Sequence, residues 1–145
     1  MKRRRGPTVS SSPLPLGFDA EPPHRYFFLN SLGGSLRCTG HGSPTPAVSW
    51  AHADANGSWG GHPATLAELP GLRQTSADGT TLMFPSFQPT DFRAHVHAAS
   101  YRCVLSNAVG RMASRVVRVR AGEQDPYRTL DAFSSFGSAA ISVGK

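Results

Sequence analysis

The 145-residue sequence is poor in charge and has no long hydrophobic run. Only 17% of its residues are Asp, Glu, Lys or Arg, whereas 15 glycines and 12 prolines interrupt the chain. Glycine and proline break helices, and sparse charge cannot supply paired helix faces, so this composition excludes a helical bundle or a coiled coil. No apolar run approaches the ~20 residues that a membrane-spanning helix needs, which argues against a membrane span within this sequence.

Catalytic motifs are missing as well. Only nine residues are acidic, and no pair of them is placed for general acid–base work. No serine lies in a G-x-S-x-G motif. The glycine-rich stretch 57–61 is not followed by Lys-Ser/Thr or by a helical pattern, so it is a loop and not a phosphate-binding motif. The sequence therefore predicts neither an enzyme nor a cofactor.

Most of the net charge of +6 comes from the N-terminus. Without Lys2, Arg3, Arg4 and Arg5, 11 basic residues remain against 9 acidic ones. Such a run is typical of a nuclear-localisation or nucleic-acid patch or of a solvated disordered tail, and we favour the tail and expect no nucleic-acid partner. The prolines that follow leave no uninterrupted apolar stretch for a secretory signal. We expect residues 1–23 to form a disordered Pro/Ser-rich arm.

Short apolar stretches separated by turn-forming residues begin at His24. About seven strands are predicted at the spacing of an all-β sandwich or barrel, one of them carrying Leu82, which we assign to the core. These strands cover residues 26–29, 35–39, 47–51, 72–75, 81–84, 100–105 and 112–120. The one helical candidate, around 89–93, is long enough only for a corner. We place the domain at 24–121 and a flexible tail at 122–145.

The two cysteines, Cys38 and Cys103, both fall on predicted strands. Trp50 follows the first by 12 positions, and Tyr101 precedes the second by two. Two unpaired buried thiols are one interpretation. The Cys–Trp–Tyr-x-Cys arrangement instead favours an immunoglobulin-type bridge between two sheets, with Trp50 packed against the sulfurs and the Tyr101 hydroxyl bonded to the backbone near residues 89–91. Closing a loop of this length contributes about 4 kcal/mol in the chain-entropy model.

Two longer stretches resemble known families. Residues 38–50, CTGHGSPTPAVSW, are similar to the C-x-x-x-G-x-P-x-P-x-V-x-W stretch of intermediate-set (I-set) immunoglobulin domains, and residues 101–110 resemble their last hairpin. Residues 70–79, 82–87 and 91–98 resemble the N-terminal immunoglobulin domain of Down syndrome cell adhesion molecule (Dscam) proteins, especially the invertebrate type. The resemblance covers roughly 24–121, and the long spacer from Asp91 to Tyr101 is its most specific mark.

The resemblance implies an I-set β-sandwich from a cell-surface adhesion receptor. Dscam proteins consist of many tandem immunoglobulin and fibronectin domains with one membrane span, and they bind identical copies on apposed cells during axon guidance and dendrite self-avoidance. It therefore implies an extracellular module at the plasma membrane whose partner is another copy. The sequence shows one domain and neither signal nor anchor, so we expect a fragment whose membrane attachment lies in missing parts.

Three smaller features allow two interpretations each. Asn56 begins the triplet Asn-Gly-Ser, which is either an N-glycosylation acceptor or a chance match. His95 and His97 would share one face of an extended segment, a minimal metal-site geometry, but no further ligands have suitable spacing, so we expect packing and no metal. Arg73 and Asp91 stand where many immunoglobulin domains form an ion pair between strand D and the E–F corner; the alternative is two exposed charges.

The last predicted strand is rich in arginine. Arg111, Arg115, Arg118 and Arg120 lie on it, with Arg118 and Arg120 on one face because side chains alternate. This strip is either a solvated strand face, which we favour, or an attractor for heparan sulfate and other polyanions. An alternative function is therefore a polyanion-binding immunoglobulin module that uses a glycosaminoglycan partner.

Overall fold

A computed structural model describes residues 14–53 and 66–124 of the chain. This part contains ten strands, a 3₁₀ turn and one short helix, and each of the seven predicted strands overlaps one or two of those observed. In chain order the elements are β1 Gly17–Ala20, β2 Arg25–Leu29, β3 Gly34–Arg37, β4 Thr39–His41, β5 Ala47–Ala53, β6 Gln74–Thr75, β7 Thr81–Phe84, the 3₁₀ turn Pro89–Asp91, α1 Ala94–His97, β8 Ser100–Ser106, β9 Arg111–Ala113 and β10 Val117–Gly122. The all-β prediction is confirmed, and none of the described helices could span a membrane.

The strands form a sandwich with a shared core. One sheet has the order β2-β10-β8-β5, with β9 also paired to β8, and β2 runs parallel to β10. The other face consists of β3-β7-β6 and of the pair β1-β4, in which β4 follows β3 after Cys38. In β10 the residues Val117 and Val119 are buried while Arg118 and Arg120 are exposed, which is the alternation expected of a strand with one wet face.

A disulfide joins the two faces at the centre of the core. Cys38 and Cys103 are bonded, with an S–S distance of 1.97 Å, and both are fully buried. Trp50 lies opposite Cys103 in the register of β5 and β8, and its Nε1 donates to the Gly79 carbonyl oxygen at 3.0 Å. Trp50 and Leu82 belong to the same buried cluster as the bridge. The predicted inter-sheet disulfide is confirmed.

The sandwich begins earlier than the boundary drawn at His24. Strand β1 lies inside the segment predicted to be an arm and pairs antiparallel with β4. Behind it, Pro22 is buried and the Glu21 carboxylate accepts a hydrogen bond from the Arg115 backbone N–H at 2.9 Å. Residues 14–23 are therefore part of the domain, because the partners that order them lie far along the chain.

Gly79 and Gly71 give a matched test of the turn before β7. Both have left-handed backbone angles, with φ of +80° and +83°. A Cβ on Gly79 would collide with the Val48 carbonyl oxygen, whereas a Cβ on Gly71 meets nothing within 4 Å. We expect Gly71→Ala to lower the free energy of unfolding by about 1 kcal/mol, the cost of the conformation alone, and Gly79→Ala to lower it by clearly more. Urea denaturation of both variants measures this, and equal losses would contradict the packing described here.

Candidate functional site

An inserted segment, residues 89–99, covers one end of the sandwich between β7 and β8. It contains the 3₁₀ turn and α1, whose backbone N–H groups at Val96 and His97 bond to the Arg93 carbonyl oxygen at 2.9 and 2.7 Å. The sequence predicted only a corner at 89–93. Helix α1 has only four residues. A helix this short is not stable by itself, so α1 depends on its contacts with the sandwich.

Tyr101 connects the inserted segment to the core. Its side chain is fully buried, and its hydroxyl donates to the Val96 carbonyl oxygen at 2.7 Å and accepts from Arg73 Nη1 at 3.3 Å. Burial raises the pKa of Tyr101, while the hydrogen bond from Arg73 acts against that rise. The bond expected to residues 89–91 is therefore made to α1 instead, because the insertion places the helix and not the corner against the hydroxyl.

Arg73 is buried beside Tyr101 and is not paired with Asp91. Its guanidinium is 5.8 Å from the centre of the tyrosine ring, and its Nη2 donates to the Ala67 carbonyl oxygen at 3.2 Å. Asp91 lies exposed in the 3₁₀ turn. Neither Arg73 nor Asp91 takes part in the ion pairs found within residues 14–53 and 66–124. The predicted ion pair is wrong, because the longer spacer separates the corner that carries Asp91 from the tyrosine.

His52 completes the surroundings of Arg73. The imidazole stacks on Tyr101 with 4.9 Å between ring centres, and its Nε2 lies 3.1 Å from Arg73 Nη1. Desolvation first, and then the charge of Arg73, lower the pKa of His52. A neutral imidazole can accept the hydrogen bond that the guanidinium donates, so this histidine serves as a polar partner for a buried cation.

His95 and His97 do not share a face. They lie two residues apart on a helix and not on a strand, so His95 is exposed while His97 is fully buried. The His97 ring stacks on Phe87 at 3.8 Å, and its Nδ1 accepts the Arg93 backbone N–H at 2.9 Å. The described residues contain no group of three or more side chains able to hold a metal ion.

The arginines predicted as one strip have different surroundings. Arg115 Nε is 3.7 Å from a Glu21 carboxylate oxygen, and Arg111 makes a contact of its own. Arg118 and Arg120 instead point outward from β10 and border an open groove of about 370 Å³ between β10 and α1. Only these two of the four therefore line the groove.

The turn between β8 and β9 carries an exposed apolar side chain on a hydrogen-bonded frame. Asn107 Oδ1 accepts from the N–H groups of Val109 and Gly110, and its Nδ2 donates to the Pro44 carbonyl oxygen at 2.8 Å. Val109 is 63% exposed at this turn, and Met112 on β9 is 38% exposed. From the sequence, Asn107 was placed only within the hairpin of residues 101–110. The glycosylation candidate Asn56 lies outside the described residues.

Most of the relatives found by comparison with known proteins are Dscam cell adhesion molecules. No family model matches the chain. It is 41% identical over 112 residues to the cell adhesion molecule Dscam2 of Drosophila melanogaster, covering 77% of this chain and 5% of the relative. It is 31% identical over 116 residues to human DSCAML1, covering 79% of this chain and again 5% of the relative. The crystal structure of the N-terminal four Ig domains of Dscam1 isoform 7.44 matches with a TM-score of 0.67 and 36% identity, over 79% of this chain and 27% of that one.

His97 makes the stability of the domain depend on pH. Desolvation, helped by the charges of Arg93 and His95, lowers its pKa from 6.5 to about 4. The unfolded chain binds a proton near pH 6.5 and the folded chain only near pH 4, so this contribution to stability is complete above pH 6.5 and is lost as the pH falls. We expect the free energy of unfolding to fall by about 2 kcal/mol between pH 7 and pH 5 through this site.

Two histidine variants isolate this effect. His97→Phe keeps an aromatic ring against Phe87 and removes the titration; it also removes the hydrogen bond from the Arg93 backbone N–H to Nδ1, which lowers stability at both pH values. Denaturant titrations at pH 7 and pH 5 should give a smaller difference for His97→Phe than for the wild type. The exposed control His95→Gln removes only the smallest of the three causes that lower the pKa of His97, so it should change the difference much less. The assignment fails if His95→Gln, and not His97→Phe, removes the pH dependence.

Proposed function

The chain belongs to the Dscam family of cell adhesion molecules, and from this we propose that it is a cell–cell recognition module that binds identical copies of itself on an apposed cell. The observation that carries the proposal is the match to the N-terminal Ig domains of Dscam1, which covers 79% of this chain at 36% identity. The family is not enzymatic, so recognition through surface contacts is its mode of action. This chain spans about 5% of the length of the curated relatives it matches.

Strand β9 supports contact between copies. Within the described residues the only strand that pairs with β9 is β8, so the opposite side of β9 is an edge of the sheet. An exposed edge of this kind can accept a strand from a second chain. Met112 on the edge and Val109 on the adjoining turn add exposed apolar surface. Antiparallel pairing of two β9 edges gives a two-fold interface in which each copy presents the same patch.

The outer face of the plasma membrane is the compartment that suits this module. Disulfides persist in oxidising environments, and the bridge between Cys38 and Cys103 lies at the centre of this core. Glycosylation of Asn56 would agree with the same location. By family membership, the role that we propose for the receptor is in axon guidance and dendrite self-avoidance.

Self-association of the oxidised full chain tests this function. We expect sedimentation equilibrium to show a monomer–dimer equilibrium that survives high salt, because apolar surface and strand pairing hold the copies together. Met112→Asp places a charge on the β9 edge and should weaken the dimer by about tenfold or more. The matched control is Leu32→Asp, which alters an apolar residue that is 76% exposed on the turn between β2 and β3.

Two results would contradict the proposal. A chain that stays monomeric at every accessible concentration does not recognise its own copies alone. If Leu32→Asp and Met112→Asp weaken the dimer equally, the β9 edge is not the contact.

A further inference from the structure

The groove between α1 and β10 combines cationic, aromatic and small side chains. Its lining includes Arg118 and Arg120 from β10, Ser100 from β8, and Phe92, Ala94 and Ala98 from the inserted segment. Phe92 is 40% exposed although it is a large apolar residue. The groove exists because α1 stands beside the outward face of β10, so it is a product of the insertion.

Within residues 14–53 and 66–124, the two arginines of this groove form no ion pair. No carboxylate belongs to the groove lining, and the ion pairs of the described chain, His41 with Asp19 and Arg115 with Glu21, lie elsewhere. In the register of β2 and β10, Arg25 stands opposite Arg118, and it has an interaction of its own. Two guanidinium groups that project from one face of a strand offer planar, multidentate donors to an anion.

A peptide strand is a poor occupant for this surface. β10 pairs with β2 from Arg118 to Gly122 and with β8 at Val117 and Arg118, and the Val119 N–H bonds to the Ala99 carbonyl oxygen, so at most the short stretch 120–122 is left for a peptide strand to pair with. The groove therefore offers a ligand mainly side chains. The donors are guanidinium groups of residues two apart on a strand, roughly 7 Å along it, and an aromatic ring lies nearby.

We propose that this groove binds a sulfated polysaccharide chain. Sulfate groups that repeat along the polymer accept hydrogen bonds from Arg118 and Arg120, and the Phe92 ring packs against the apolar face of a sugar ring. The groove is open, so a long chain can lie across it without a free end. This site is distinct from the β9 edge: β10 pairs with β8 at Ser100 and Tyr101, whereas β9 pairs with it at residues 104–106.

A size-defined heparin oligosaccharide is the probe for this site. The N-terminal run could bind heparin by itself, so all measurements use a chain in which Lys2, Arg3, Arg4 and Arg5 are replaced by alanine. In isothermal titration at low salt, we expect Arg118→Ala and Arg120→Ala each to weaken binding by about tenfold, the size of one lost charge-assisted hydrogen bond. The matched control, Arg37→Ala, removes an exposed arginine from β3 in the other sheet and should leave binding within about twofold.

Phe92→Ala separates a defined groove from general attraction to a positive protein. It should weaken binding by about threefold without changing the salt dependence, because it removes ring contact and no charge. Thermal unfolding of each variant verifies that the fold is kept. Equal losses for Arg37→Ala and Arg118→Ala would overturn the proposal. Binding of polyglutamate or of single-stranded DNA as tight as that of heparin, with the same dependence on Arg118, would assign the groove to another class of ligand and would also overturn it.

Discussion

The hydrogen bond from the buried Tyr101 hydroxyl to the Val96 carbonyl oxygen is the contact on which the inserted segment, residues 89–99, depends. At 2.7 Å it fixes α1 against the sandwich, and the same hydroxyl accepts from Arg73, which in turn donates to the Ala67 carbonyl oxygen. One side chain thus joins β8, the inserted segment and the chain before β6. Each hydrogen bond lost from such a network leaves a buried group unpaired at a cost of about 1–3 kcal/mol, and Arg73 Nε already has no hydrogen-bond partner among the described residues.

Strand β8 carries this network and the disulfide on one face. Tyr101, Cys103 and Leu105 are all fully buried, so the period of two along the strand places the tyrosine and the bridge side by side in the core. The bridge fixes the two sheets to one another, and the tyrosine fixes the insertion to the sheets. The two surfaces proposed for recognition differ in origin. The β9 edge is part of the sandwich, whereas the groove forms where the inserted segment, with Phe92, lies beside Arg118 on β10.

The sandwich was predictable because its signals are local and periodic. Alternating apolar residues bounded by turns identified the strands, and the spacing of Cys38, Trp50, Tyr101 and Cys103 identified the architecture. Strand β1 was missed because four residues between prolines have no usable period, and the strand forms only through pairing with β4. Helix α1 was missed for the same reason. Its four residues are too few to show a helical repeat, and the Tyr101 hydroxyl that donates to its Val96 carbonyl oxygen lies outside the segment.

Partners of buried polar groups were the least predictable part of the site. Arg73 and Asp91 were paired by analogy with domains in which the corner lies next to the tyrosine, and the longer spacer changed that distance. Nothing in the local sequence indicates that Arg73 turns to Ala67, His52 and Tyr101. Similarly, two histidines two apart predict one face on a strand and opposite faces on a helix, so their roles depended on an element that the sequence did not show.

Native-state hydrogen exchange at the Val96 and His97 amides, measured in Tyr101→Phe and Tyr26→Phe, tests the central claim most directly. Both variants remove a phenolic hydroxyl, but the Tyr26 hydroxyl only accepts from the Ser35 backbone N–H on the surface. The account predicts that Tyr101→Phe speeds exchange at the α1 amides by about tenfold or more, the equivalent of one lost buried hydrogen bond, and that Tyr26→Phe leaves it unchanged. Equal exchange in the two variants would show that the inserted segment is held on the sandwich by something other than Tyr101.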